Sequence, residues 1–116
     1  MRTSDLCGLV EATSVQGECE DREITAGYTS DLLSDVMAHA APGSVLVTIQ
    51  AHRNTVAVAS MLDLAAVVIC NGRDPAPDMI EAASSERLAV YRTGLSQFEV
   101  SGRLWKALNS GARPGR

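Results

Sequence analysis

The chain has 116 residues, a formal net charge of −4 and an apolar fraction of 46%. This length suffices for the core of one domain, and the acidic balance argues against nucleic acid or an anionic membrane surface as a partner. No apolar run reaches ~18 residues and the N-terminus lacks a signal-peptide pattern, so no membrane span is expected. The three cysteines show no CxxC spacing, which argues against a disulfide framework or zinc site and favours a reduced, cytoplasmic setting.

The first forty residues are predicted to form two helices and two short strands. A helix is expected over residues 1–12, strands over 13–17 and 23–28, and a second helix over 31–40. Thr29 or Ser30 is a candidate cap for the second helix, with Asp31 in its first turn, where the helix dipole favours negative charge. Pro42 and Gly43 end that helix and turn the chain.

The stretch from Ser44 to Gly72 organises the rest of the chain. It predicts a buried strand over residues 44–50, a helix over 54–62 and a second buried strand over 65–70. Two strands joined by so short a helical crossover are expected to be parallel, with a right-handed connection.

The last part of the chain predicts another helix, a strand and a long final helix. These cover residues 79–87, 88–92 and 97–108, with Pro77 suited to a first helical turn. Ser96 and Glu99 have the spacing of a capping box. The prediction is a single layered α/β domain over residues 1–110, with a mostly parallel sheet of about four to five strands flanked by helices. Residues 111–116 are expected to be a disordered tail.

Polar turns follow three strands of this sheet, at the edge where open α/β sheets collect ligands. Backbone amides at the starts of helices, together with two arginines, would suit an anion such as a phosphate. The candidate ligand-binding residues are Gln50, His52, Arg53, Asn54, Asn71, Gly72, Arg73 and Thr93. The alternative is that Asn54 caps its helix, Gly72 serves a turn and both arginines are solvated.

Signatures of catalysis are absent from the sequence. It contains no GxGxxG, GxxxxGK[ST] or GxSxG pattern, and its one lysine, Lys106, lies in the last predicted helix. His52 is a candidate general base without an identified orienting partner, and Cys70 closes an apolar strand as a core residue would. We therefore predict no enzyme, no cofactor and no metal site.

Several blocks of sequence resemble the stand-alone DRTGG domain proteins. They include Asp21–Tyr28, Ser30–Met37, Val47–Gln50, Asn71–Arg73 and Leu95–Leu104, and together they span roughly residues 4–108. The family is similar to the N-terminal domain of HPr kinase/phosphorylase, an α/β domain outside the catalytic part. Related domains accompany CBS pairs in regulated pyrophosphatases.

The resemblance implies a regulatory or dimerising role. Two departures from the family pattern are Ala26 and Asn71, which replace a glycine of a Thr-Gly-Gly run. Asparagine tolerates a left-handed backbone, whereas alanine does not, so Ala26 argues against a shared ligand-binding role for residues 25–27.

Two functions follow as expectations. The first is a non-catalytic regulatory or scaffold domain that forms a homodimer, with the small-residue helix over 54–62 as its packing surface, and that pairs with a partner protein. The second is a sensor that binds a nucleotide or other phosphate compound at the strand ends. An enzyme using His52 or Cys70 is a third, weaker hypothesis.

Overall fold

The computed structural model describes residues 1–17 and 19–110, and these form one five-stranded sheet with helices on both faces. The predicted tail over 111–116 lies outside the described residues. After a 3₁₀ turn at Thr3–Asp5, the elements are α1 (Leu6–Leu9), β1 (Ala12–Ser14), β2 (Ala26–Thr29), α2 (Leu33–His39), β3 (Ser44–Thr48), α3 (Arg53–Met61), β4 (Ala66–Ile69), α4 (Pro77–Glu86), β5 (Ala89–Thr93) and α5 (Gln97–Ser110).

The strands lie in the order β1-β5-β4-β3-β2, which confirms the predicted α/β class. The pairs β2–β3, β3–β4 and β4–β5 are parallel, and β1 runs antiparallel to β5. The register places Val47 beside Val68 and Val68 beside Tyr91 in the centre of the sheet. The carboxyl ends of β2 to β5 therefore meet at one edge.

Strands β3 and β4 are buried along their whole length because helices cover both faces of the sheet. On one face, Val45, Val47 and Val68 pack with Val100 and Leu104 of α5. On the other face, Leu46, Val67 and Ile69 form a second cluster with buried residues of α2, α3 and α4. The near-continuous apolar runs of the sequence predicted this two-sided burial.

The N-terminal segment differs from its prediction. Instead of one helix over 1–12 the chain forms the 3₁₀ turn and a single helical turn, and Ala12 already belongs to β1. The reason is a nonlocal backbone pairing: Thr3 N donates to Arg22 O at 2.8 Å and Ile24 N donates to Met1 O at 2.8 Å. This pairing holds the first residues extended, and β2 starts only at Ala26.

The helices of the second half agree with their predictions within two residues at each end. Pro77 is the first residue of α4, as predicted. Proline suits this position because an amide proton there would have no partner within the helix. The capping box is confirmed, because Glu99 N donates to Ser96 Oγ at 3.1 Å and Ser96 N donates to Glu99 Oε1 at 3.2 Å. The predicted start of α2 at Asp31 was wrong, because the helix begins at Leu33 and Asp31 lies in the preceding loop.

Candidate functional site

Asp31 is the polar centre of the carboxyl edge of the sheet. Its Oδ1 accepts hydrogen bonds from Thr48 Oγ1 at 2.9 Å, Ile49 N at 2.9 Å and Gln97 Nε2 at 3.0 Å. One carboxylate oxygen thereby joins the loop after β2, the end of β3 and the first residue of α5. The sequence placed Asp31 in a helix, and no local signal indicated these partners.

Gln50 and Thr93, two predicted ligand residues, use their side chains inside the protein. Gln50 Nε2 donates to Asp31 O at 2.8 Å. Thr93 is buried, and its Oγ1 donates to Val10 O at 2.7 Å while accepting from Leu95 N at 3.1 Å. These two side chains therefore support the edge of the sheet, and a role for either residue in ligand binding stays a prediction.

The turn after β4 has the predicted left-handed conformation. Asn71 and Gly72 have φ angles of 61° and 65°, so the asparagine takes the backbone conformation that glycine would supply. The prediction that backbone amides of this turn are free is wrong, however. Asn71 N donates to Leu95 O at 2.9 Å, Gly72 N to Thr93 O at 2.8 Å and Arg73 N to Cys70 O at 3.2 Å. The backbone amides of Asn71, Gly72 and Arg73 are therefore not free to bind a ligand.

His52, Arg53 and Asn54 line an open groove at the same edge, together with Ala76 and Asp78. His52 is the residue before α3 and Ala76 is the residue before α4, and a hydrogen bond of 3.1 Å from Ala76 N to Ala51 O ties the two helix starts together. Neither helix start has a side-chain cap, and Asn54 is inside α3, so the capping alternative for Asn54 is wrong. Two helix dipoles therefore direct positive potential into one groove.

Of the seven arginines among the described residues, all except Arg53 and Arg73 have an ion pair, a hydrogen bond or another electrostatic interaction within the protein. Arg2, Arg22, Arg92 and Arg103 form ion pairs with carboxylates. The side chains of Arg53 and Arg73 are exposed and, within residues 1–17 and 19–110, form neither an ion pair nor a hydrogen bond. Arg53 lines the groove with the helix starts, whereas Arg73 is not among the residues that line it.

The two candidate catalytic side chains have contrasting environments. His52 is exposed, and within the described residues no side chain hydrogen bonds to its ring. Cys70 is fully buried, and its burial, with a smaller contribution from the charge of Asp31, raises its pKa from 9.0 to about 11. The thiol is therefore protonated at neutral pH, as expected for a core residue.

This pKa predicts the order in which the cysteines react with a thiol reagent at neutral pH. Cys7 is exposed and is expected to react within the mixing period, whereas Cys70 should react only after denaturation. Mass spectrometry of the labelled, digested chain distinguishes the two sites. Rapid labelling of Cys70 in the folded chain would contradict this prediction.

The raised pKa of Cys70 also makes the stability of the fold depend on pH. The stability that the buried, protonated thiol contributes is complete below pH 9.0 and is lost as the pH rises towards about 11.

A separate cavity of about 380 Å³ lies between β2 and the second half of α5. Its walls include Thr25, Ala26, Gly27, Ser101 and Trp105. Ala26 lies within β2 and is not among the residues with a positive φ, so no left-handed backbone is required at this position. The expectation that residues 25–27 do not share a ligand-binding role stays a prediction. The sequence did not indicate this cavity, which arises from the packing of α5 over the last strand of the sheet.

Two absences concern the described residues only. Over 1–17 and 19–110, no group of three or more histidine, cysteine or acidic side chains is placed to hold a metal ion. No helix in the same part of the chain is long and apolar enough to cross a membrane.

No protein-family model and no curated protein sequence matches this chain. Among solved structures it is similar to the CBS and DRTGG domains of the regulatory region of Clostridium perfringens pyrophosphatase, a structure complexed with the activator diadenosine tetraphosphate. The TM-score is 0.68 at 12% sequence identity, over 88% of this chain and 45% of that chain. The chain thus spans less than half the length of this regulatory region. The likeness supports a DRTGG-like α/β fold, while the similarity to HPr kinase/phosphorylase stays a prediction.

Proposed function

We propose that this chain is a non-catalytic regulatory domain that binds a phosphate-containing ligand, such as a nucleotide, at the groove formed by His52, Arg53, Asn54, Ala76 and Asp78. The observation that carries the proposal is the convergence of two uncapped helix starts on one groove beside an uncommitted arginine. Helix N-termini attract anions through their free amides and dipole, and a guanidinium adds charge-assisted hydrogen bonds.

The structural neighbour supports a regulatory reading. That region is a regulator of an enzyme and has a nucleotide activator bound, and it shares its fold with this chain. We extend ligand sensing to this chain because it has a groove of its own that suits a phosphate. The proposal also includes the predicted homodimer, a partner protein and a cytoplasmic location.

Asp78 places a negative charge in the proposed phosphate site. Its carboxylate lines the groove and lies in the first turn of α4, where it interacts favourably with the helix dipole. The same charge repels a phosphate. Asp78→Asn should therefore tighten phosphate binding while costing the fold about 0.3–1 kcal/mol.

A thermal-shift titration tests the proposal with pyrophosphate, ATP and diadenosine tetraphosphate as probes. A ligand at one hundred times its Kd stabilises the folded state by about 2.7 kcal/mol, which is a readily measured rise in Tm. Arg53→Ala should weaken binding by about tenfold or more because it removes a charge-assisted contact. Arg73→Ala should have a smaller effect, since Arg73 does not line the groove.

Lys106→Ala is the matched control for these variants. It removes one positive charge from α5, and Lys106 is not among the groove residues. Binding that responds equally to Arg53→Ala and Lys106→Ala would indicate nonspecific charge attraction and would contradict the proposed site. The absence of any shift with all three probes would count against phosphate sensing.

A further inference from the structure

Two of the three cysteines flank β1, the antiparallel strand at the end of the sheet. Cys7 lies in α1 and is exposed. Cys19 follows β1 and packs, half-buried, against the core cluster that contains Leu6 and Tyr91. Neither cysteine lines the groove proposed to bind phosphate, so any chemistry of this pair is separate from that site.

Hydrogen bonds hold the chain next to Cys19 against the helical turn that leads to Cys7. Thr3 N donates to Arg22 O at 2.8 Å, Arg22 N donates to Thr3 Oγ1 at 3.0 Å, and Thr3 Oγ1 donates to Glu20 O at 3.3 Å. Cys7 comes four residues after Thr3 in one continuous helical run, so the two residues lie about one turn apart on the same side. Because Glu20 is the sequence neighbour of Cys19, this arrangement brings Cys7 and Cys19 together.

The electrostatics of the two thiols agrees with this geometry. Burial raises the pKa of Cys19, and the charges of Asp21 and Cys7 raise it further. Burial, with contributions from the charges of Cys19 and Cys7, also raises the pKa of Tyr91 to about 12. Charge interactions weaken with distance, so these effects place both thiols near each other and near the Tyr91 hydroxyl.

The third cysteine is not available to this pair. Cys70 is fully buried, and its thiol donates to Val68 O at 3.9 Å inside the core. Forming a disulfide requires that an oxidant or a second thiol reach one of the sulfur atoms. Of the three cysteines, exposed Cys7 is therefore the one that an oxidant reaches first, with Cys19 beside it.

We propose that Cys7 and Cys19 are a reversible redox pair that a hydroperoxide oxidises to an intramolecular disulfide. The Cys7 thiolate attacks one peroxide oxygen, the O–O bond breaks, and the leaving oxygen takes up the proton that the Cys7 thiol has lost. This step gives a Cys7 sulfenic acid. The Cys19 sulfur then attacks the Cys7 sulfur, the S–O bond breaks, and hydroxide leaves with the thiol proton of Cys19 as water. The two sulfurs give up two electrons, and the peroxide takes up both.

The disulfide closes a covalent loop that contains β1. This strand has three residues and pairs with β5, from Ala12 opposite Thr93 to Ser14 opposite Tyr91. A cross-link restricts the unfolded chain, so oxidation should stabilise the fold and hold this short strand on the sheet. A transient disulfide of this kind is compatible with the reduced setting that the sequence predicts.

Hydrogen peroxide treatment of the reduced full chain tests the pair, with alkylation and mass spectrometry of the digested protein as the readout. We expect the chain to lose two hydrogen atoms in mass and to yield a peptide cross-linked between Cys7 and Cys19, which dithiothreitol cleaves. Cys70 should stay a thiol that is alkylated only after denaturation, which makes it an internal control. Oxidation of Cys7 to a sulfinic acid while Cys19 stays alkylatable would overturn the inference, as would cross-links found solely between two chains.

Two serine variants test the order of the steps. In Cys19→Ser the Cys7 sulfenic acid has no neighbouring thiol, so it should accumulate and be trapped by dimedone. In Cys7→Ser the half-buried Cys19 should be oxidised about tenfold more slowly than in the wild-type chain. Oxidation of Cys19 at the same rate in both chains would show that Cys19 does not depend on Cys7.

Equilibration with glutathione tests whether the fold itself holds the two thiols together. The effective concentration of Cys19 at Cys7 should be about tenfold or more higher in the folded chain than in urea. The oxidised chain should correspondingly unfold at a higher temperature than the reduced chain, because the disulfide and the fold favour each other. Equal effective concentrations with and without urea would overturn the inference.

Discussion

Asp31→Ala is expected to lower the free energy of unfolding by about 3 kcal/mol, because hydrogen bonds to a charged group contribute about 1.5–3 kcal/mol each and their loss leaves partly buried donors without a partner. Three donors from three elements converge on Asp31 Oδ1: Thr48 Oγ1, Ile49 N and Gln97 Nε2. Urea denaturation at constant pH measures the change. The loss should appear as a lower midpoint with an unchanged m value.

Two variants control this experiment. Asp31→Asn keeps an oxygen for the same donors and loses only the charge, so it should cost less than half as much as alanine. Asp74→Ala removes an exposed carboxylate paired with Arg92 at 2.9 Å and should cost at most about 1 kcal/mol. A cost for Asp31→Ala no larger than that of Asp74→Ala would show that Asp31 does not organise the edge.

Gly43→Ala is expected to cost about 2–3 kcal/mol. Gly43 has a φ of 81°, where an alanine loses about 1–2 kcal/mol to steric conflict with its own backbone. A Cβ at this position would also approach Thr25 Oγ1 to 2.6 Å, so the Thr25 side chain must move away from its present position. The position is sensitive because Thr25 N donates to Gly43 O at 3.0 Å just before β2 pairs with β3.

The double variant Thr25→Ala/Gly43→Ala separates the two contributions. It removes the close oxygen and keeps the backbone strain, so it should regain the steric part of the loss and show clear non-additivity. Gly102→Ala is the opposite control, because Gly102 lies inside α5 and an added Cβ would meet no atom within 4 Å. It should stabilise the protein by up to about 1 kcal/mol. Equal effects of alanine at positions 43 and 102 would contradict this reading.

The parts of the fold that sequence predicted well are those with local signals. Patterns of a few neighbouring residues predicted each of these elements. They are the apolar runs of β3 and β4, the proline that starts α4 and the capping box of α5. The N-terminal segment and the start of α2 depend on partners distant in the chain. Thr3 pairs with Arg22, and Asp31 bonds to Gln97, so no local pattern could identify either arrangement.

The candidate site shows the same division. His52, Arg53 and Asn54 were predicted from their place after a buried strand, and they line one groove. Ala76 and Asp78 were missed because they reach that groove only through the packing of α4 beside α3. The cavity between β2 and α5 was missed for a similar reason, since it depends on how α5 packs over the β2 end of the sheet.

The most direct test of phosphate sensing is an amide-resolved NMR titration of the chain with pyrophosphate. We expect saturable shifts concentrated at the starts of α3 and α4, at Arg53, Asn54 and Asp78, with little change at Gly27 or Gly102. Their loss in the Arg53→Ala chain, with retention in the Lys106→Ala chain, would complete the expected result. Shifts that are absent, that never saturate or that centre on a different surface would contradict the proposed site.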